Sequence, residues 1–242
     1  MPTGPPVFAI EVENFALVTY DVPAERVEAH LPAPYELDAF AGPGGRRAFV
    51  TTTCFCNRRF HPAGVGHPRH TFNESTYRTY VTHKGRKGVY FFGRYLGTSL
   101  AWLSQRALAR DTFAADFDVA TEVAGAKYSH YRCRAASEAG ETSFELVAMD
   151  DPRSAKPFRT GDELAQFLTY RLHGFYTSSI GVQGYMPVVH PRMSPVAGTL
   201  LHGRFDLWDK LGIVSEQKAA RPYSVLVVPQ VPFTLFAPRP LT

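Results

Sequence analysis

The chain has 242 residues, of which 45% are hydrophobic, 13% aromatic and 20% charged, with a formal net charge of +4. This composition supplies a large buried core and excludes intrinsic disorder, and the mild charge gives no reason to expect a nucleic acid partner. No apolar run reaches the roughly 18 residues of a membrane-spanning helix, no secretion signal is visible, and three cysteines do not make a disulfide framework, so a reducing, cytoplasmic setting is expected.

The first patterned run, residues 7–20, is rich in β-branched and aromatic residues and reads as a strand. Residues 23–31 read as a short helix, with Pro23 near its start and Pro32 just past its end. Two Pro/Gly-rich breaks, 41–46 and 61–69, read as loops inside one domain spanning 1–242, because patterned segments continue on both sides. Strand-like runs follow at 48–56, 71–82 and 88–96. The last two are joined by His83-Lys84-Gly85-Arg86-Lys87, a compact polar turn that signals a hairpin. Thr98 is placed to cap a helix running to about residue 110. Strand-like runs return at 127–135 and 143–149. Asp162 is placed to cap another helix, with Leu164, Phe167, Leu168, Leu172 and Phe175 on its apolar face. Runs at 180–190 and 223–236 complete eight strands, with a fourth helix expected over 205–211. The fold class is mainly β (α+β), a mostly antiparallel sheet curled into a barrel or sandwich, with three or four short helices.

No phosphate-binding loop, dinucleotide fingerprint, nucleophile elbow, HExxH or CxxC pair occurs. Nucleotide chemistry, common serine hydrolysis and a standard zinc finger therefore lack support. The run His70 to Val81, HTFNESTYRTYV, is the main candidate for chemistry. On a strand, Glu74, Thr76, Arg78 and Tyr80 share one face. Charges in an apolar sheet protein need partners or a ligand; the alternative is a solvated edge. Glu74 and Arg78 lie roughly 13 Å apart along an extended strand, too far to pair tightly, but a small acid fits between them. A sequestered Glu74 is suited to moving a proton, Arg78 to holding an oxyanion or carboxylate, and Tyr80 to donating a hydrogen bond. Arg94 on the following strand and Arg106 on the following helix are further candidates for substrate contact.

Three other groups are weaker. His61, His67 and His70, with Cys54 and Cys56 upstream, are zinc-compatible ligand types, but their spacing fits no closed site and an exposed loop is the plainer reading. His130, Arg132 and Arg134 share a strand face that either receives an anion or faces solvent. His190 ends an apolar run and reads as a structural histidine with a possible substrate contact. Tyr170, Arg171 and Tyr176 are expected on one helix and its end, covering a pocket or packing.

At NESTYRTYV followed by GVYFFGRYL, the sequence resembles the uncharacterised YqjF-like proteins of the acetoacetate decarboxylase-like superfamily. The resemblance rests on Glu74 to Val81 with its R-T-Y-V ending, Gly88 to Phe91, and Arg106 on the next helix. The opening FALVTYDVPAERVEAHLPAPYELDAF, the later FLTYRLHGFY and the His190-Pro191 ending are similar too. It implies a cone of curved sheet around a central ligand cavity and a tendency to form homo-oligomers. In true decarboxylases a cavity lysine forms a Schiff base, and Glu74 matches a cavity glutamate of that family. The decarboxylase lysine pair falls near Phe113 and Ala114, and no lysine occurs between Lys87 and Lys127. The superfamily's substrate arginine falls at Glu13 and its second glutamate near Val50 or Thr51.

The expectation is a cofactor-independent enzyme, with no metal, acting on a small oxo acid or polyketide-like carbonyl compound. Its reaction is a lyase, aldol, dehydration, isomerisation or cyclisation step without a Schiff-base lysine. Glu74, Arg78 and Tyr80 are the catalytic candidates; Thr76, Arg94, Arg106, Tyr176 and His190 are the substrate-binding ones. The alternative is a non-catalytic binder of a hydrophobic or acidic small molecule. In either case the expected partner is a small molecule, not nucleic acid or membrane.

Overall fold

The computed structural model describes residues 4–98, 101, 111–153, 155–178 and 180–241. In chain order the elements are β1 (Pro6–Pro23), α1 (Ala24–Glu28), the short β2 (Glu36–Leu37) and β3 (Phe40–Gly42), β4 (Gly45–Pro62), β5 (His70–His83) and β6 (Arg86–Leu96). There follow β7 (Thr112–Ala124), β8 (Lys127–Ser137), β9 (Gly140–Asp150), α2 (Gly161–Thr169), β10 (His173–Thr177), β11 (Gln183–Val189) and β12 (Val196–Phe205). The chain ends with α3 (Asp206–Lys210), α4 (Glu216–Ala219), β13 (Ser224–Phe236) and β14 (Arg239–Pro240). Among the described residues no helix is long and apolar enough to cross a membrane.

The strands form one curled sheet that closes on itself in two ways. Pairing runs β6-β7-β8-β9-β12-β13-β1-β4-β5 and back to β6, a ring of nine strands. It also runs β13-β1-β4-β5-β6-β10-β11 and back to β13, a ring of seven. The two rings share the wall β13-β1-β4-β5-β6. Strands β6 and β13 are the forks. One edge of β6 pairs with β5 along its length, while the other takes β10 at Val89 and Tyr90 and β7 from Arg94 to Leu96. Those two pairings are parallel and all the others antiparallel, in keeping with the mostly antiparallel sheet expected.

A wall between two rings is buried on both faces, so its strands lose hydrophobic alternation. In β1, Ala16, Val18 and Tyr20 pack in one core, while Phe15 and Leu17 pack in the other. In β13, Val225 and Val227 face the first core, and Leu226 and Val228 the second. The run Thr51-Thr52-Thr53 in β4 divides the same way. Thr52 accepts from the Trp208 indole at 2.8 Å in the nine-strand ring, whereas Thr51 and Thr53 bond to Tyr80 and Thr76 on the other side. The β5–β6 hairpin forms as expected. Lys84 and Gly85 both have positive φ, 48° and 76°, the two-residue turn whose twist suits antiparallel strands.

Two expectations are corrected. The helix capped at Asp162 is shorter: Thr160 is the N-cap, its hydroxyl accepting from the Glu163 amide, and the helix stops at Thr169. Phe175 and Tyr176 belong to β10, not to that helix, so Tyr170 and Tyr176 lie on different elements. The single run 180–190 is likewise split, its strand starting at Gln183. The apolar face of Leu164, Phe167 and Leu168 continues into Leu172 and Phe175 in sequence, and helical spacing alone does not reveal the break at Tyr170. The helix expected after Thr98 lies, apart from Ala101, outside the described residues, as does Arg106.

Candidate functional site

The even-numbered face of β5 points into the seven-strand ring. Register explains which partners each side chain meets. Glu74 lies opposite Phe55 of β4 and Leu96 of β6, so Asn57 and Arg94, two residues along each neighbour and diagonal to Glu74, flank its carboxylate. Arg94 donates to Glu74 Oε1 from Nε at 3.1 Å and from Nη2 at 2.8 Å. Asn57 Nδ2 donates to Oε2 at 3.0 Å. Glu74 is only 7% exposed. A carboxylate offers about four acceptor positions; three are filled, leaving one on Oε2.

This group lines a pocket of about 510 Å³. Its lining comes from six of the seven strands of the ring, missing only β10. The walls are apolar: Phe8, Ile10, Phe60, Phe72, Leu96, Met186, Leu235 and Phe236. Asn57, Glu74 and Arg94 are polar groups of its lining joined by hydrogen bonds, with His70 and Thr98 also lining it. A small polar cluster in an apolar concavity is the usual form of a small-molecule site.

Further along the same face, Thr76 shares a hydrogen bond with Thr53 at 2.8 Å. Arg78 follows. Its Nη2 donates to the Leu168 carbonyl at the end of α2 at 3.2 Å, and its guanidinium lies 5.5 Å from the Phe15 ring centroid. Among the described residues Arg78 has no anionic partner, and its Nε is buried without an acceptor. Burial pushes its pKa below the usual arginine range, with Arg171 acting in the same direction and the Tyr80 hydroxyl against it. Tyr80 shares a hydrogen bond with Thr51 at 2.8 Å and donates to the same Leu168 carbonyl at 3.3 Å. Arg171 is bonded to Asp38 at 2.8 Å and stacks over Phe167. The expected catalytic residues thus fall into two stations on one face: Glu74 with Arg94, and Arg78 with Tyr80.

His190 is 5% exposed and packs 4.6 Å from the Phe233 ring. Burial lowers its pKa, the Pro191 carbonyl bonded to Nδ1 opposes this, and the Arg78 charge lowers it further. Tyr176 in β10 has its ring against Gly184, and its carbonyl accepts from Tyr35 at 3.0 Å; it does not line the Glu74 pocket. The His130, Arg132 and Arg134 face is solvent-facing and neutralised by Glu145, Asp118 and Glu141. No cluster of three metal-ligand side chains occurs among the described residues. His61 bonds to the Arg59 carbonyl, and Cys54 turns away into the nine-strand ring beside Cys133. Of the positions aligned with decarboxylase residues, Phe113 packs on Tyr95, Glu13 pairs with Arg58 at 2.6 Å, and Thr51 bonds to Tyr80. Asn57 was not evident from the sequence. It ends a strand run, and only the β4–β5 register places it beside Glu74.

A family model described as uncharacterised conserved protein, DUF2071, matches residues 9–236. No curated protein sequence matches the chain. Among solved structures, the enduracididine biosynthesis enzyme MppR aligns with TM-score 0.62 and 12% identity, over 99% of this chain and 89% of that one. Acetoacetate decarboxylase from Legionella pneumophila aligns with TM-score 0.62 and 14% identity, over 100% and 90%. An acetoacetate decarboxylase-like enzyme from Sphingomonas wittichii RW1 aligns with TM-score 0.59 and 11% identity, over 98% and 94%. At these identities the likeness is one of fold. The chain belongs to the DUF2071 family and has the acetoacetate decarboxylase-like fold.

Proposed function

We propose that this DUF2071 member is an enzyme that moves a proton on a small carbonyl compound bound in the apolar pocket, with Glu74 as the base. One observation carries the reading: Glu74 is fixed by Arg94 and Asn57 in the lining of a largely apolar pocket, with one acceptor position open. Fixed geometry in a water-poor site is what general-base catalysis needs. A proton beside a carbonyl passes to Glu74 Oε2, and the electron pair moves onto the carbonyl oxygen. Arg94 and the Asn57 amide, fixed beside the carboxylate, are the donors available to that oxygen. The same half-reaction opens aldol-type cleavage, dehydration, isomerisation and cyclisation.

The fold neighbours support carbonyl chemistry as a class. MppR has been solved with pyruvate and with the condensation product of pyruvate and imidazole 4-carboxaldehyde. A Schiff base is not part of this proposal, because no lysine lines the pocket among its described residues. The motifs of residues 74–81 and 88–91 support a resemblance to the YqjF-like proteins. We take residues 1–242 as one domain, free of cofactor, and leave a homo-oligomer as an expectation.

The test is a thermal-shift screen of wild type and Glu74→Gln against oxo acids, diketones and aromatic polyketide fragments, followed by product analysis. Both proteins are expected to bind one class, and wild type alone to convert it. Equal binding with conversion by neither turns the reading into that of a binding protein.

A further inference from the structure

Among the described residues, Arg78 is a largely buried charge with no anionic partner. It lies on the same inward face of β5 as Glu74, four residues away or roughly 13 Å along the strand. The charged groups near it among the described residues have partners of their own. Arg171 is balanced by Asp38, which also lies 3.8 Å from Lys87. Burial lowers the His190 pKa, and Arg78 itself acts in the same direction. Glu74 is engaged by Arg94 and Asn57. What remains for Arg78 among the described residues is neutral: the Leu168 carbonyl, the Tyr80 hydroxyl and the face of Phe15.

Capping α2 does not account for it. A guanidinium has five N–H donors, one of which reaches Leu168, and Tyr80 already donates to that carbonyl. A neutral hydroxyl does the same task without the cost of a buried charge. The buried Nε, bonded to nothing, aggravates that cost. Part of the side chain nevertheless stays accessible. A planar donor set, desolvated and unbalanced, matches a carboxylate in shape and charge.

Arg78 is on the same inward face as Glu74 but is not among the residues that line the Glu74 pocket. We infer that Arg78 is an anion-binding station inside the seven-strand ring, and that its ligand is a carboxylate whose apolar body reaches from there to the Glu74 pocket. The inference rests on the proposed function for which end reacts, the carbonyl at Glu74, but not for the anion contact itself. The separation of the stations excludes the shortest oxo acids as a fit to both. Along the face between the stations lie Thr76 and Thr53, buried and bonded to each other, with Phe15 beside Arg78. Arg94 is a poorer carboxylate site, because its charge is already met by Glu74.

The experiment measures binding of 7-oxooctanoate, its methyl ester and octanoate to wild type, Arg78→Met and Arg78→Lys, by thermal shift and calorimetry. Wild type is expected to bind the two acids about tenfold or more tightly than the ester. Arg78→Met loses that preference and, freed of an unpaired buried charge, melts no lower than wild type without ligand. Arg78→Lys keeps part of the preference. Three results overturn the inference: acids that bind wild type no better than the ester, a preference that survives in Arg78→Met, or an Arg78→Met protein that melts well below wild type, which marks a structural arginine. Because the readout is binding, it is separate from the proposed proton transfer. Anion preference without conversion of 7-oxooctanoate leaves the station standing and counts against Glu74 as the base.

Discussion

Glu74 and Arg94 are held to each other more tightly than to anything else, and that sets what each can do. Oε1 is occupied by two donors from one guanidinium, so Arg94 fixes the carboxylate plane, while Asn57 fixes the rotation of the second oxygen. Removing Arg94 leaves a buried carboxylate with only an amide. Arg94→Met is therefore expected to destabilise the fold by about 3 kcal/mol. Adding Glu74→Gln should return much of that loss, since the unmatched charge is gone. Denaturant unfolding of both singles and the double measures this coupling. Additive losses show that the pair is not energetically linked.

At the scale of elements, the shared wall was legible and its closure was not. Runs such as FALVTYDV read as strands because β-branched and aromatic residues dominate, and burial on both faces keeps them apolar throughout. The hairpin at Lys84-Gly85 was legible for its turn chemistry. Strand β10 was hidden, because Leu172 and Phe175 extend the helical spacing of α2 by chance and five residues carry little pattern of their own. Strands β7 and β12 alternate with exposed polar residues and read as neither element. At the site, Glu74, Arg78 and Tyr80 stood out because charge interrupts an apolar strand. Their division into two stations, and the part played by Asn57, depends on cross-strand register, which one sequence does not contain. The fork that closes the second ring has a test of its own. A Cβ on Gly88 would lie 2.3 Å from the His173 carbonyl oxygen, so β10 approaches β6 only because Gly88 has no side chain. Gly88→Ala should cost about 2 kcal/mol or more and weaken hydrogen-exchange protection in β10 before the rest. Protection lost evenly over the molecule contradicts this assignment.

For the whole molecule, two rings with one wall in common make an arrangement in which neither can open without exposing the other's core. Phe15 and Ala16, or Leu226 and Val227, are neighbours in sequence yet belong to different cores. Unfolding is expected to be a single transition, with tryptophan fluorescence and far-UV circular dichroism coinciding over a denaturant series. Separate transitions indicate that the rings are independent units. The wide ring, filled by Tyr77, Tyr95, Tyr131, Phe144 and Trp208, is a solid support. The narrow one carries the polar face and the open pocket. Structure and chemistry are thus assigned to different faces of the same five strands.

The most direct test of proton transfer at Glu74 is deuterium wash-in. A carbonyl compound that stabilises the protein in the thermal-shift screen is incubated in D2O, and exchange beside its carbonyl is followed by NMR. Wild type should catalyse the exchange, and Glu74→Gln should be slower by about 100-fold or more while still binding the compound. Exchange at the wild-type rate in Glu74→Gln, or no exchange by wild type with the compound bound, contradicts the account.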